Sequence, residues 1–182
     1  MRQTEPDQGL WGDADDVAGA VAPGRRFIIR TDGAARGNPG PASLGAVLID
    51  AGRPDALDPL ARPDATISTY LGRQTNNVAE WRGVVEALAL ARRLGAERVD
   101  LFLDSKLIVE QLHGRWRVKD AKLRPLWEAS RRELARLRLW SATHVPRAQN
   151  SLADALANEA IDRATAGGRD TVEWVREGLG RA

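Results

Sequence analysis

Four carboxylates in this sequence stand where elements begin or end: Asp32 in FIIRTDGAARGNPG, Glu80 in TNNVAEWRGVVEAL, Asp104 in VDLFLDSKLIVEQ and Asp154 in QNSLADALANEA. A carboxylate at the end of an apolar strand, or on the inner side of a helix, is costly unless a counter-charge or a cation meets it. Four such groups from distant parts of the chain can meet in the fold as an all-oxygen ligand set. Hard divalent cations, Mg²⁺ or Mn²⁺, take that set and act on phosphates. Each acid also has an ordinary explanation. Asp32 can start a turn in an Asp-Gly pair. Asn77-x-x-Glu80 and Ser151-x-x-Asp154 both match a capping box, and Asp104 can cap the helix that follows it. On residue types and spacing alone, a metal site and four local roles are equally open.

Composition removes the competing chemistries. The chain has no cysteine, which excludes disulfides, thiolate metal sites and cysteine nucleophiles, and only two histidines, His113 and His144, which excludes a histidine-rich cage. Any metal is therefore expected to be hard and oxygen-bound. At 182 residues, 43% hydrophobic and 29% charged, the chain suits one soluble domain with a real core. No apolar run approaches a membrane span. The start, MRQTEPDQGLWGDADD, lacks the basic and apolar stretches of a signal peptide, so a cytoplasmic location is expected. A net charge of +2 says little about partners. The arginine-dense stretches RRFIIR, ARRLGAER and SRRELARLRLW read as solvated faces before other considerations.

The elements that must position the acids follow from periodicity. Residues 1–24 carry no period and read as a disordered tail, with Trp11 their one aromatic group. FIIRTD, ended by Gly33, is a first strand, and the Gly/Pro-punctuated ARGNPGPAS a turn. LGAVLID and ISTYL complete an antiparallel meander. From Asn77 to Gly95 the apolar positions Val84, Val85, Leu88, Ala91 and Leu94 recur at helical spacing, and Glu80 shares the face with Val84, Ala87, Leu88 and Ala91 that should meet the sheet. RVDLFLD is a buried strand, with Asp100, Phe102 and Asp104 on one face and Val99, Leu101 and Leu103 on the other. SKLIVEQLH is a short helix. A second runs from about Leu123 to Leu137, with Pro125 in its first turn. LWSATHV is a fifth strand and NSLADALANEAIDRA a last helix. The order βββαβααβα implies an α/β domain over residues 25–166, a five-stranded mixed sheet flanked by helices. The Gly/Arg-rich residues 167–182 read as a tail that frays or docks weakly.

TDGAARGNPGPASLGAVL, TNNVAEWRGVVEALALA, LFLDSKLIVEQL and NSLADALANEA, in this order and spacing, closely resemble ribonuclease H of type 1, from about Arg26 to Ala164. The resemblance implies that family's five-stranded mixed fold. It also implies an endonuclease that hydrolyses the RNA strand of an RNA–DNA hybrid with two divalent ions, leaving 5′-phosphate ends. The ions are expected to be Mg²⁺, with Mn²⁺ as substitute. Carried over by position, Asp32, Glu80, Asp104 and Asp154 would bind the metal. Asn38, Asn76 and Asn77 would contact the minor groove of the hybrid. Thr75, Lys106 and the Gly33 to Gly40 loop would touch phosphate or sugar. The resemblance implies a monomer acting on the hybrid, with no membrane. The alternatives are a nuclease of the same fold acting on double-stranded RNA or DNA, and a binding module without catalysis.

Two places depart from the family pattern. Many members carry a histidine just before the last acid. Here, in THVPRAQNSLAD, ungapped counting gives His144 and a shortened loop gives Arg147, and we favour Arg147, with His144 as a strand residue. Some members carry a long basic, Trp-containing protrusion. HGRWRVKDAKLRPLW is short but keeps Arg115, Trp116, Arg117, Lys119 and Lys122, so Trp116 is either a substrate contact or a helix-packing residue.

Overall fold

The computed structural model describes residues 24–179; the expected N-terminal tail and Trp11 lie outside them. Strand β1 (Arg25–Ala35) pairs antiparallel with β2 (Gly40–Asp50), and β2 with β3 (Ala65–Gln74). On the other side of β1 come β4 (Ala96–Leu103) and β5 (Leu139–His144), both parallel to their neighbours. A sixth strand, β6 (Thr171–Val175), pairs antiparallel with β3, so the order is β5-β4-β1-β2-β3-β6. The expected mixed sheet is present, with six strands rather than five. No helix among the described residues is long and apolar enough to cross a membrane.

Helices α1 (Asn76–Arg93), α2 (Lys106–Leu112) and α3 (Arg124–Leu134) join one sheet face in a core that includes Phe27, Ile29, Leu44, Trp81, Leu88, Leu101 and Leu112. The opposite face packs Ile28, Val47 and Ile49 against α4 (Ser151–Thr165) and the 51–64 connection. Strand β1 is buried almost end to end because both its faces are covered. Alternation then decides which side chain meets which helix. Phe27, Ile29, Thr31 and Gly33 face α1, while Ile28, Arg30 and Asp32 face α4.

Three local expectations change. Strand β1 does not stop at Gly33: Asp32 and Gly33 pair with Gly45 and Leu44 inside the ladder, so the Asp-Gly pair is no turn. Helix α1 is capped by Thr75, whose hydroxyl accepts from the Val78 amide at 3.3 Å, so Glu80 is not spent on the Asn77 box. The helix expected to reach Leu137 ends at Leu134, where tight turns from Glu133 and Leu134 take over.

Where a tail was expected to fray or dock weakly, the described residues 167–179 return to the sheet as β6. Gly167, at φ 78°, turns the chain back after α4. Arg163 then donates to the Arg169 and Ser68 carbonyls, both at 2.8 Å, and the Asp170 carbonyl accepts from the Tyr70 amide at 2.8 Å. Five residues, four of them exposed, carry too weak an alternation to stand out in the sequence. Their register comes from partners on β3 and α4.

Candidate active site

Adjacent parallel strands β1 and β4 end at the same edge of the sheet, where α/β folds place their sites. Arg30 pairs with Phe102, so Asp32 and Asp104, each two residues further on, stand side by side at that edge. Two glycines bring in the other acids. A Cβ on Gly33 would lie 2.3 Å from the Glu80 amide nitrogen and 2.6 Å from the Ala79 carbonyl carbon, so only glycine lets the first turn of α1 rest on β1. On the opposite face, a Cβ on Gly45 would lie 2.0 Å from the Ala153 carbonyl oxygen. Gly45 is the ladder partner of Asp32. Each glycine thus seats one helix N-terminus beside Asp32, carrying Glu80 from one face and Asp154 from the other. Strand hydroxyls pin α4 there: Ser43 donates to the Ala157 carbonyl and Ser68 to that of Leu156.

The four acids line one cavity of about 390 Å³ with Gly33, Asn76, Arg147 and Asn158. A roomier hollow of about 500 Å³ near Gly24, Arg25 and Arg98 has Asp50 as its one acid and no comparable convergence. Asp32 is 5% exposed. One of its oxygens accepts from the Gly33 amide at 2.9 Å and the other has no partner. Burial first, then the charge of Asp104 and the contact with Asp154, push its carboxyl from the usual 3.8 up to about 8. Burial also raises Glu80, against hydrogen bonds from Ser105 and Asn76 that lower it.

One oxygen of each of the other three acids is met by a protein donor. Asn76 Nδ2 donates to Glu80 at 2.9 Å, Asn150 Nδ2 to Asp104 at 2.8 Å, and Arg147 Nη2 to Asp154 at 2.6 Å. With these oxygens so engaged, no group of three or more His, Cys, Asp or Glu among the described residues stands arranged to hold a metal ion. The donor chemistry nevertheless fits a hard divalent cation. The set is all oxygen, the charge of Asp104 raises both Asp32 and Glu80, and the most buried member keeps an oxygen with nothing to bind.

Of the other expected residues, Arg147 reaches the cavity, whereas His144 ends β5 with its Nε2 against the Asp104 backbone carbonyl at 3.2 Å. Asn38 accepts from the Asn76 amide at 3.2 Å, tying the Gly-rich loop to the start of α1. Thr75 serves as a cap, Asn77 and Lys106 are exposed, and none of the three lines the cavity. Trp116 is 46% exposed and lines a separate hollow with Arg117, Arg124 and Trp127, away from the acids.

Asn150 was not singled out from the sequence. It is buried at the N-cap of α4 but does not cap; its amide reaches the Thr31 carbonyl at 2.7 Å as well as Asp104. Its one sequence signal is an asparagine directly before Ser151, where a cap would explain it. Asn158, which also lines the cavity, has only its one-turn spacing from Asp154.

Comparison with known proteins agrees over most of the described chain. The reverse transcriptase-like family model matches residues 30–160. The chain is 42% identical over 139 residues to the bifunctional protein Rv2228c of Mycobacterium tuberculosis, covering 76% of this chain and 36% of that protein, so it spans about a third of that relative's length. The N-terminal RNase H domain of the same protein superposes with a TM-score of 0.69, over 75% of this chain and 99% of that chain. Ribonuclease HI of Halobacterium salinarum is 43% identical over 157 residues, 84% of this chain and 74% of the relative. LC11-RNase H1, solved in complex with an RNA/DNA hybrid, is 36% identical with a TM-score of 0.68, over 76% of this chain and 99% of that one. In sequence and in fold, this chain belongs to the type 1 ribonuclease H family.

Proposed function

We propose that the chain is a metal-dependent endoribonuclease that hydrolyses the RNA strand of RNA–DNA hybrids and leaves 5′-phosphate ends. The observation that carries this reading is the convergence of Asp32, Glu80, Asp104 and Asp154, from four separate elements, on one cavity with an unpartnered buried oxygen. The hybrid bound to LC11-RNase H1 supports the choice of substrate. A cytoplasmic, monomeric enzyme is part of the same reading.

Asp32, Glu80, Asp104 and Asp154 would hold two Mg²⁺ ions, with Mn²⁺ as substitute. When bound, such ions offset the charge of the scissile phosphate and lower the pKa of water. The protein's own part is orientation. Asn150 fixes the direction of the Asp104 carboxylate, and Asn76 that of Glu80. The proton that Asp32 keeps when burial and the other acids raise it must leave when a cation takes its place. Arg147 spans the gap between Asp154 and the cavity mouth and is the group to hold a phosphate oxygen. As a permanently charged guanidinium, it does not shuttle protons. Asn38, Asn76 and Asn77 cluster at one rim, where amides can both donate to and accept from 2′-hydroxyls of an A-like minor groove. Trp116 offers a stacking surface further out.

The test is cleavage of labelled hybrid, double-stranded RNA and double-stranded DNA with Mg²⁺, with Mn²⁺ and with chelator. Cleavage of the hybrid alone, lost with chelator, is expected. Cleavage of duplex DNA, or cleavage of hybrid that survives chelator, refutes the reading, and cleavage of double-stranded RNA widens the substrate. Asp104→Asn should stop turnover while hybrid binding persists.

A further inference from the structure

Arg30 lies two residues before Asp32 on the same face of β1 and is 3% exposed. Its Nε donates to the Gln149 carbonyl at 3.2 Å and its Nη2 to the Leu57 carbonyl at 3.1 Å. The guanidinium lies 5.0 Å from the centroid of the Phe102 ring, and Nη1 has no partner. Phe102 in turn lies two residues before Asp104. The Arg30–Phe102 pair is therefore one layer of the sheet behind the Asp32–Asp104 pair, in register with it.

A buried guanidinium costs free energy that stacking and hydrogen bonds must offset. An ordinary buried arginine is met by a carboxylate, yet among the described residues none stands in ion-pair contact with Arg30, and the charge of Asp58 acts on it only from further off. What it holds instead are main-chain carbonyls of two separate segments, the 51–64 connection and the turn Arg147–Asn150. That turn has one end fixed independently, because Asn150 is anchored to Thr31 and Asp104. The other end carries Arg147, whose side chain is 76% exposed and whose one described partner is Asp154. Gln149 is exposed, and its carbonyl joins the turn to the sheet through Arg30 just before the Asn150 anchor, while the Arg147 end follows Val145, whose amide meets the Leu103 carbonyl at 2.9 Å.

We propose that Arg30 is a positioning residue for the reaction: by holding the Gln149 carbonyl to the face of β1, it keeps the Arg147–Asn150 turn where Arg147 meets the phosphate. This rests on the reading of Arg147 given above. Misplacing a phosphate-holding group by a fraction of a turn lowers the rate without removing any group that touches the substrate.

The test compares the full chain with Arg30→Met, Arg30→Lys, Arg147→Ala and the Arg30→Met/Arg147→Ala pair. The readouts are steady-state cleavage of a labelled hybrid, thermal melting, and amide exchange across residues 147–152. Arg30→Met should lower kcat about tenfold with KM within about twofold, and should speed amide exchange in the turn. In the Arg147→Ala background the same substitution should cost less than about twofold, because the group it positions is gone. Arg30→Lys, whose ammonium can still hold one carbonyl, should recover part of the rate and keeps the test available if Arg30→Met does not fold. An unchanged kcat in the Arg30 variants beside an impaired Arg147→Ala refutes the role of Arg30 alone. So does an equal drop with and without Arg147. A fully active Arg147→Ala refutes the reading of Arg147 and the role of Arg30 with it.

Discussion

Asp32 and Asp64 are both nearly inaccessible to solvent, at 5% and 1%, in the same sheet domain, and the fold treats them in opposite ways. Asp64 is saturated: Arg176 Nε meets one oxygen at 2.7 Å, while Arg53 Nη1 at 3.1 Å and the Asp50 amide at 2.8 Å meet the other. It ties the β2–β3 connection to the segment after β6. Asp32 has one amide on one oxygen, nothing on the other, and Asp104 and Asp154 as neighbours. A buried carboxylate supplied with counter-charge is holding the structure together. One denied it and surrounded by its own sign marks a candidate functional site.

That contrast breaks if the two aspartates respond alike to amide replacement. Asp32→Asn should lower the hybrid cleavage rate by at least about a thousandfold, roughly 4 kcal/mol of barrier. Without metal, its melting temperature should be unchanged near neutral pH, where the raised carboxyl keeps its proton, and higher above about pH 8, where a repulsive charge is gone. A variant that cleaves at the parent rate sinks the assignment of Asp32.

The next effect is the pH dependence of stability without metal. The folded-state carboxyl of Asp32 sits near 8 against 3.8 unfolded, so between those values the folded protein binds a proton that the unfolded chain has released. Stability is therefore greatest at and below the unfolded value and is lost as pH rises toward 8, the direction that raised Glu80 shares. Chemical denaturation in chelator at several pH values measures this. Asp32→Asn should flatten the slope.

Asp64→Asn should cost about 2 kcal/mol of stability with kcat intact at low temperature. The loss is smaller than for a fully enclosed pair because Arg53 and Arg176 keep access to water. Rate loss beyond the unfolded fraction would show that Asp64 serves the site. The smallest effect is expected for Arg176→Ala, about 1 kcal/mol, since Asp64 retains Arg53 and the Asp50 amide. A melting shift as large as that of Asp64→Asn would make Arg176 the main counter-charge.

Asp64 also marks where the sequence stops being informative. In ARPDATIS it reads as one more acid of a Pro/Asp-rich connection, and its burial depends on arginines 11 residues before and 112 after it. Asp32, by contrast, stands out because a charge directly follows an apolar strand. Glu80 was legible through the helical face it shares with Val84 and Leu88, although its local alternative, the Asn77 box, gave way to the Thr75 cap. Asn150 and Arg30 were not legible. One looks like a cap and the other like a member of an arginine-rich stretch, and each acts through contacts 119 residues away.

The amino-acid sequence by itself determined the element order through α4, excluded thiolate and histidine-rich ligands, and singled out four acids that the fold brings to one cavity. These rest on residue type and on periodicities of two and of about 3.6, which are local. Only the tertiary structure decided which carboxylate keeps a free oxygen, how closely Gly33 and Gly45 let two helices approach Asp32, which of Arg147 and His144 reaches the cavity, and that the chain after α4 returns as a sixth strand. Those outcomes are set by close packing and hydrogen bonds between segments far apart in the chain, and no local pattern encodes them.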